Sequence, residues 1–263
     1  GKSESLPIVQ NTTGFEYDLT KKIKKLIDSD LQSIAIAGFT SSSHSNQGLK
    51  QILGESYDIK DIAMSSEVPA DVGVIVINGV SDSLTTDEMN NLSQFIKRGG
   101  NILMAQGRVD VSLNQQVGFF DGKNVESNIF SLLNEYGVNV ESNLLLDKIN
   151  GQINIPQRVS IFQTWASHDY PFFPTINSFN SDEPIVSGLE KIQFHFCSEI
   201  TIDSLSNNVT PIMYTSRNSG TMSGFYNLYP NTKDSQNPIL NDLNEGTKIL
   251  GVIIDSMQGG QLI

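Results

Sequence analysis

Val72-Gly73-Val74-Ile75-Val76-Ile77-Asn78, followed by Leu84-Thr85-Thr86-Asp87-Glu88 and then by Gly99-Gly100-Asn101-Ile102-Leu103-Met104-Ala105, reads as a strand, a capped helix and a second strand. Thr85 and Glu88 are spaced as a capping box, in which hydroxyl and carboxylate satisfy two helical amides that would otherwise lack partners. Met89, Leu92, Phe95 and Ile96 recur at helical spacing and form one apolar face. Gly99-Gly100 ends the helix, because glycine tolerates the left-handed conformation of a C-terminal cap. Two β-branched runs joined in this way predict a right-handed βαβ unit with parallel strands. Ile34-Ala35-Ile36-Ala37-Gly38 is a third apolar run. The pattern predicts that strands 34–38, 72–78 and 101–105 lie side by side in a parallel sheet.

The chain has 263 residues, enough for a sizeable core without disulfides or metals. Its formal charge of −12 opposes binding to phosphate backbones, so no nucleic-acid partner is expected. Charged residues form 17% of the chain, below the usual ~25%. Ser, Asn, Thr and Gln therefore cover much of the surface, as suits a protein working outside the cytoplasm. Cys197 is the single cysteine and forms no internal disulfide. Its aromatic setting, Phe194-His195-Phe196-Cys197, favours a buried apolar role. No stretch approaches the ~20 apolar residues of a membrane span, and no signal-peptide pattern is present. The abrupt start and finish are those expected of an excised soluble domain.

Around the opening segment the chain organises into three parts. Residues 1–14 read as an irregular polar segment. Residues 15–147 read as the main α/β domain, beginning with an amphipathic helix from Phe15 to Asp28 that carries Leu19, Ile23, Leu26 and Ile27 on one face and Lys21, Lys22, Lys24 and Lys25 on the others. Strands alternating with helices over this part predict a doubly wound, mostly parallel sheet. A short helix near Leu49 to Leu53, a strand from Tyr57 to Ala63, a helix from Val125 to Tyr136 ended by Gly137, and a strand from Val138 to Leu146 complete it. In residues 148–263 short β-prone runs separated by Asn, Ser and Pro predict additional strands and a smaller α+β lobe. Thr215 to Gly224 and Asn227 to Asn237 read as long loops.

In open α/β sheets, ligands bind beyond the carboxyl ends of the strands. That criterion selects Gly38 to Gln47, Asn78 to Ser83 and Gln106 to Asn114, and within them Ser41, His44, Asn78, Gln106, Arg108 and Asp110 as the groups able to bind. The Gly38 loop has no glycine fingerprint or Walker pattern, so no nucleotide cofactor is expected. The turn after strand 101–105, Gln106-Gly107-Arg108-Val109-Asp110, offers neither Ser nor Cys where a hydrolase or amidotransferase of this type places its nucleophile. No catalytic residue is assigned. His44, His168 and His195 are the only histidines and match no zinc spacing. Trp165-Ala166-Ser167-His168-Asp169-Tyr170 reads as an aromatic-polar loop, either an anchor to the body or, with Trp165 and His168 as binding residues, a stacking platform for a glycan or peptide that is favoured if Trp165 and Tyr170 are exposed on one open face.

With these elements placed, the chain resembles the extracytoplasmic domain of gliding-motility-type ABC-transporter auxiliary proteins, the GldG-like family. Four segments carry the resemblance in order: Phe15 to Leu26; Leu84 to Leu103 with Phe95-Ile96-Lys97-Arg98-Gly99-Gly100; Leu132 to Val138 running on to Leu144-Leu145-Leu146-Asp147; and Pro184-Ile185-Val186-Ser187-Gly188-Leu189 leading to Pro211 to Ser216. The resemblance implies a non-enzymatic periplasmic domain held at the inner membrane by helices outside this sequence, with a permease and an ATPase as partners. It also implies a flavodoxin-like fold of the class I glutamine-amidotransferase kind, shared with intraflagellar-transport proteins, without catalytic residues or cofactor. Where family members carry an Asp-Pro-like pair after strand 101–105, this chain has Gln106-Gly107-Arg108. A free-standing carbohydrate-binding module and a hydrolase or amidotransferase-like enzyme are the rival readings.

Overall fold

The computed structural model describes residues 15–16, 19–20, 22–23, 32–42, 45–116, 118–159, 162–232, 237–256 and 258–263. The opening segment folds as its pattern dictates. β1 (Ser33–Gly38), α1 (Gln47–Leu53), β2 (Asp58–Ala63), β3 (Val74–Ile77), α2 (Thr86–Lys97) and β4 (Asn101–Met104) follow in chain order. β3 pairs in parallel with β1 on one side and β4 on the other, so the three apolar runs are adjacent parallel strands. β2 adds a fourth parallel strand beyond β1.

The Thr85–Glu88 box forms as spaced, each side chain accepting a hydrogen bond from the other's backbone amide. Leu92, Phe95 and Ile96 of α2 are buried against Ala35, Ala37, Ile75, Ile77 and Ile102 of the sheet. Gly99 ends the helix at φ +84°. Phe15, Glu16, Leu19, Thr20, Lys22 and Ile23 are helical; Leu26, Ile27, the remaining lysines of that cluster and residues 1–14 lie outside the described residues.

The doubly wound, mostly parallel expectation fails beyond this unit. β5 (Val109–Asn114) and β6 (Phe119–Asn124) form an antiparallel hairpin. α3 (Ile129–Glu135) follows and packs into the same core as α2. The predicted strand 138–146 is two strands in different sheets, β7 (Val138–Val140) and β8 (Leu144–Asp147). β9 (Asn150–Val159) and β10 (Phe162–Ile176) make a long antiparallel hairpin. β11 (Ser178–Phe179), β12 (Ile192–Gln193), β13 (Ile200–Ile202), β14 (Val209–Tyr214), β15 (Ser219–Met222), a 3-10 turn (Pro238–Asn241), β16 (Ile249–Asp255) and β17 (Gln261–Leu262) complete the chain. The fold is mostly β, with mixed sheets, and is neither flavodoxin-like nor a parallel sheet wound on both faces.

The physical reason lies in the second half. Its alternating apolar positions form strands paired mainly in the antiparallel sense, of which β11, β13, β14, β16 and β17 join the first sheet while β9, β10, β12 and β15 pair outside it. The sheet runs β11-β14-β16-β17-β4-β3-β1-β2, with β13 and β7 paired off β16. Only β17-β4-β3-β1-β2 is parallel. α2 and α3 share the core on one face of this sheet, whereas α1 buries no side chain. A second core, built around Leu144, Leu146, Tyr170, Phe172, Met222, Tyr226 and Leu228, gathers β8, β10 and β15. Two expected loops are therefore strands: Thr215 to Gly224 contains β15, and the Trp165 to Tyr170 cluster is the middle of β10. Much of Gln106 to Asn114 is likewise β5.

Candidate functional site

The loops at the carboxyl ends of β1, β3 and β4 are tied to one another. Ser81 donates from its amide and hydroxyl to the Ser41 carbonyl, at 2.9 and 3.1 Å. The Gln106 carboxamide accepts from Val80 N–H at 2.8 Å and donates back to the Val80 carbonyl at 3.2 Å, and to the Gly107 carbonyl at 2.6 Å. Glu88, 1% exposed, reaches from α2 into the β1 loop. It accepts from Thr40 N–H and Oγ1–H at 2.6 and 3.0 Å, and from Thr85 N–H and Oγ1–H at 2.8 and 3.0 Å. Burial pushes the Glu88 carboxyl up, but the four donors outweigh it and hold it below its ordinary value.

Among the sequence-selected residues, the structure brings Asn78, Gln106 and Asp110 to the wall of one cavity of about 570 Å³. Asn78 donates to Asn46 Oδ1 at 2.9 Å. Arg108 is turned into the body: its guanidinium donates to the Val140 carbonyl at 3.0 Å and lies 4.6 Å from the Phe130 ring centre. Its Nε and the Ser41 hydroxyl are buried without a hydrogen bond among the described residues. His44 lies outside the described residues. Trp165 and His168 sit on β10, opposite Pro156 and Ile153 of β9, and do not line the cavity. Trp165 is 68% exposed while Tyr170 is fully buried, its hydroxyl donating to the Leu228 carbonyl at 2.6 Å. The two rings therefore make no common stacking platform.

Sequence reasoning missed what the Phe194-His195-Phe196-Cys197-Ser198 segment does, although the aromatic run marked it. All five residues line the cavity. Ser198 Oγ accepts from Arg108 N–H at 3.0 Å, and Cys197 carbonyl from Leu145 N–H at 2.8 Å. Phe196 holds φ +53°, the only positive φ outside glycine among the described residues, a strain of about 1–3 kcal/mol for a bulky side chain. Its ring meets Phe120 and Phe173 edge-on at 5.1 and 5.2 Å. Burial, helped by the nearby Asp147 and opposed by a backbone hydrogen bond, pushes the Cys197 thiol up to about 12. A thiol so poised is a poor nucleophile. Asp147, fully buried, accepts from Ser216 N–H and Oγ–H at 2.6 Å each and fastens β8 to the loop after β14.

No group of three His, Cys, Asp or Glu able to hold a metal occurs among the described residues, and no helix there is long and apolar enough to cross a membrane. The cavity wall is dominated by aliphatic and aromatic side chains, with Asp110 as its one carboxylate side chain among them. Such a surface suits apolar packing and backbone hydrogen bonding more than proton transfer.

Comparison with known proteins identifies the setting of this site. The family model of the ABC-type uncharacterized transport system auxiliary proteins matches residues 29–257. The chain belongs to this family. This transport-auxiliary chain is 23% identical over 176 residues to an uncharacterized protein of Borreliella burgdorferi, the match covering 64% of the chain and 34% of that relative. The chain thus spans about a third of the relative's length. Among solved structures it is similar to the mmIFT52 N-terminal domain, with a TM-score of 0.53 at 13% identity over 88% of this chain and 84% of that one. That likeness concerns the fold. The family match supports the transport-auxiliary part of the resemblance read from the sequence.

Proposed function

We propose that this transport-auxiliary chain is an extracytoplasmic, non-enzymatic binding domain of an ABC export or gliding-type system, docking on the permease of the permease–ATPase complex through the crevice formed by Asn78 to Ser81 and Gln106 to Asp110. The family match over residues 29–257 carries this reading. Two further features support it. Cys197, the only thiol in the chain, is held protonated, and the turn after β4 presents a carboxamide already engaged by Val80 and Gly107. A protein-binding role needs neither group to react, and Ser81, Ala105 and the half-buried Asp110 remain at the rim for contact.

The crevice reading is tested by replacing Ser81 and Asp110 together with Arg in the full-length protein, and by measuring co-purification with the cognate permease and ATPase. Recovery of the complex should fall at least tenfold, while the exposed Lys97→Glu control on α2 retains it. Unchanged recovery in the double variant would place the contact elsewhere.

A further inference from the structure

β9 and β10 form a hairpin with two unlike faces. Its register sets Trp165 opposite Pro156, Ser167 opposite Asn154 and Asp169 opposite Gln152. Side chains alternate across a strand, so these six share one face, and all six are exposed. Ile153 and Tyr170 belong to the other face and pack into the second core. The hairpin is thus anchored through one side. Its Trp165 side stays open over a length of about 14 Å and a width of two strands, about 10 Å.

Trp165 is the only tryptophan in the chain, and 68% of it is exposed. A solitary exposed apolar side chain is ordinary on a protein surface. This one heads a polar row. Ser167 Oγ–H donates to Gln152 Oε1 at 2.9 Å, and Gln152 Nε2–H donates to Asp169 Oδ1 at 3.1 Å. The ladder fixes the carboxamide and the carboxylate in place while engaging one N–H of Gln152 and one oxygen of Asp169. The second N–H, the second oxygen and the Asn154 carboxamide supply donors and acceptors for a ligand on the same face. Neither 152–156 nor 165–169 contains a Lys or Arg.

We propose that this face is a binding site for a neutral glycan chain, with the C–H face of one sugar ring stacked on Trp165 and hydroxyls of the next on Gln152, Asn154 and Asp169. A membrane or an apolar peptide would cover the indole but strip water from the ladder without replacing its hydrogen bonds. A phosphorylated or otherwise anionic ligand meets Asp169 with no cation in either stretch to offset it. A folded protein covers about 800 Å² of each partner in a stable complex, several times what this strip offers. A sugar chain is one ring wide and carries both apolar and hydroxylated surface, which matches an indole followed by amides. Tyr170 has no part in it, and the strip is separate from the strand-end crevice, since none of its six residues lines the cavity. Glycan binding here is additional to the docking reading and does not depend on it.

Because Trp165 is the sole indole, its fluorescence reports on this face alone. Titrating the chain with the hexasaccharides of N-acetylglucosamine and of glucose should, with at least one of them, shift the emission to shorter wavelength in a saturable way. Calorimetry with that sugar should show affinity lowered roughly tenfold or more by Trp165→Ala and roughly threefold or more by Gln152→Ala. Thermal midpoints should be unchanged, because both side chains are exposed. Trp165→Phe, which keeps a ring, should fall between the wild type and Trp165→Ala. The double Ser81→Arg and Asp110→Arg variant should bind the sugar like the wild type, so that loss of docking and loss of glycan binding are read separately. No saturable change with either hexasaccharide overturns the proposal, as does binding that Trp165→Ala leaves intact. A shift produced by phospholipid vesicles and by neither sugar overturns it too, since the occupant would then be a membrane.

Discussion

Glu88 shows how one carboxylate serves two levels of the structure. It completes the cap of α2 and clamps the loop after β1, so its charge is matched by two amides and two hydroxyls. Because its pKa is lowered by folding, its contribution is present above the ordinary glutamate value and is lost as pH falls through the lower folded value. Urea midpoints measured between neutral and acidic pH should therefore decline more steeply for the wild type than for Glu88→Gln, which should be less stable at neutral pH. Thr85→Ala should cost about 1 kcal/mol, read as a lower urea midpoint with an unchanged slope. Cys197→Ser should leave association with transporter components intact, and the wild-type thiol should react slowly with a thiol reagent at neutral pH, because burial disfavours the thiolate. Fast labelling would contradict that burial.

At the level of elements, local chemistry was legible wherever it is self-contained. The capping box, the apolar stripe of α2 and the three parallel strands follow from spacing alone. Gly99-Gly100 was legible as a helix end but has a second role that spacing does not reveal. The turn before β17 packs directly on it, and a Cβ on Gly260 would stand 2.5 Å from the Gly100 carbonyl oxygen. Gly260→Ala should therefore destabilise the fold by about 1–3 kcal/mol, the range for overpacking, whereas Gly48→Ala on α1, with open space around it, should be neutral or slightly stabilising. The Trp165 cluster was misread as a loop because its polar alternation is that of one solvent-facing side of a strand. The register break between Asp169 and Pro174 then turns Tyr170 and Phe172 into the second core. Arg108 was read as a crevice charge, yet its partners, the Val140 carbonyl and Phe130, come from segments that only the tertiary fold brings near.

The whole molecule is where local reading gave out. A βαβ unit announces a parallel sheet, but nothing local to it says that β17, more than a hundred residues later, adds a further parallel strand beside β4, or that β16 and β14 then extend the sheet in the antiparallel sense. Those pairings are non-local, and their strands look alike whether they join the first sheet or build a separate lobe. The candidate site shares this history. Asn78, Gln106 and Asp110 follow from the strand-end rule, whereas the Phe194 to Ser198 wall arrives from the far half of the chain. The central claim, that this transport-auxiliary domain works by docking through its strand-end crevice, is tested most directly by placing a photoactivatable amino acid at Ser81 or, as a control, at Lys97 of the full-length protein in its native cell. Docking through the crevice predicts that irradiation joins position 81, and not position 97, to the cognate permease. Adducts formed only from position 97, or none with the permease from position 81, would contradict it.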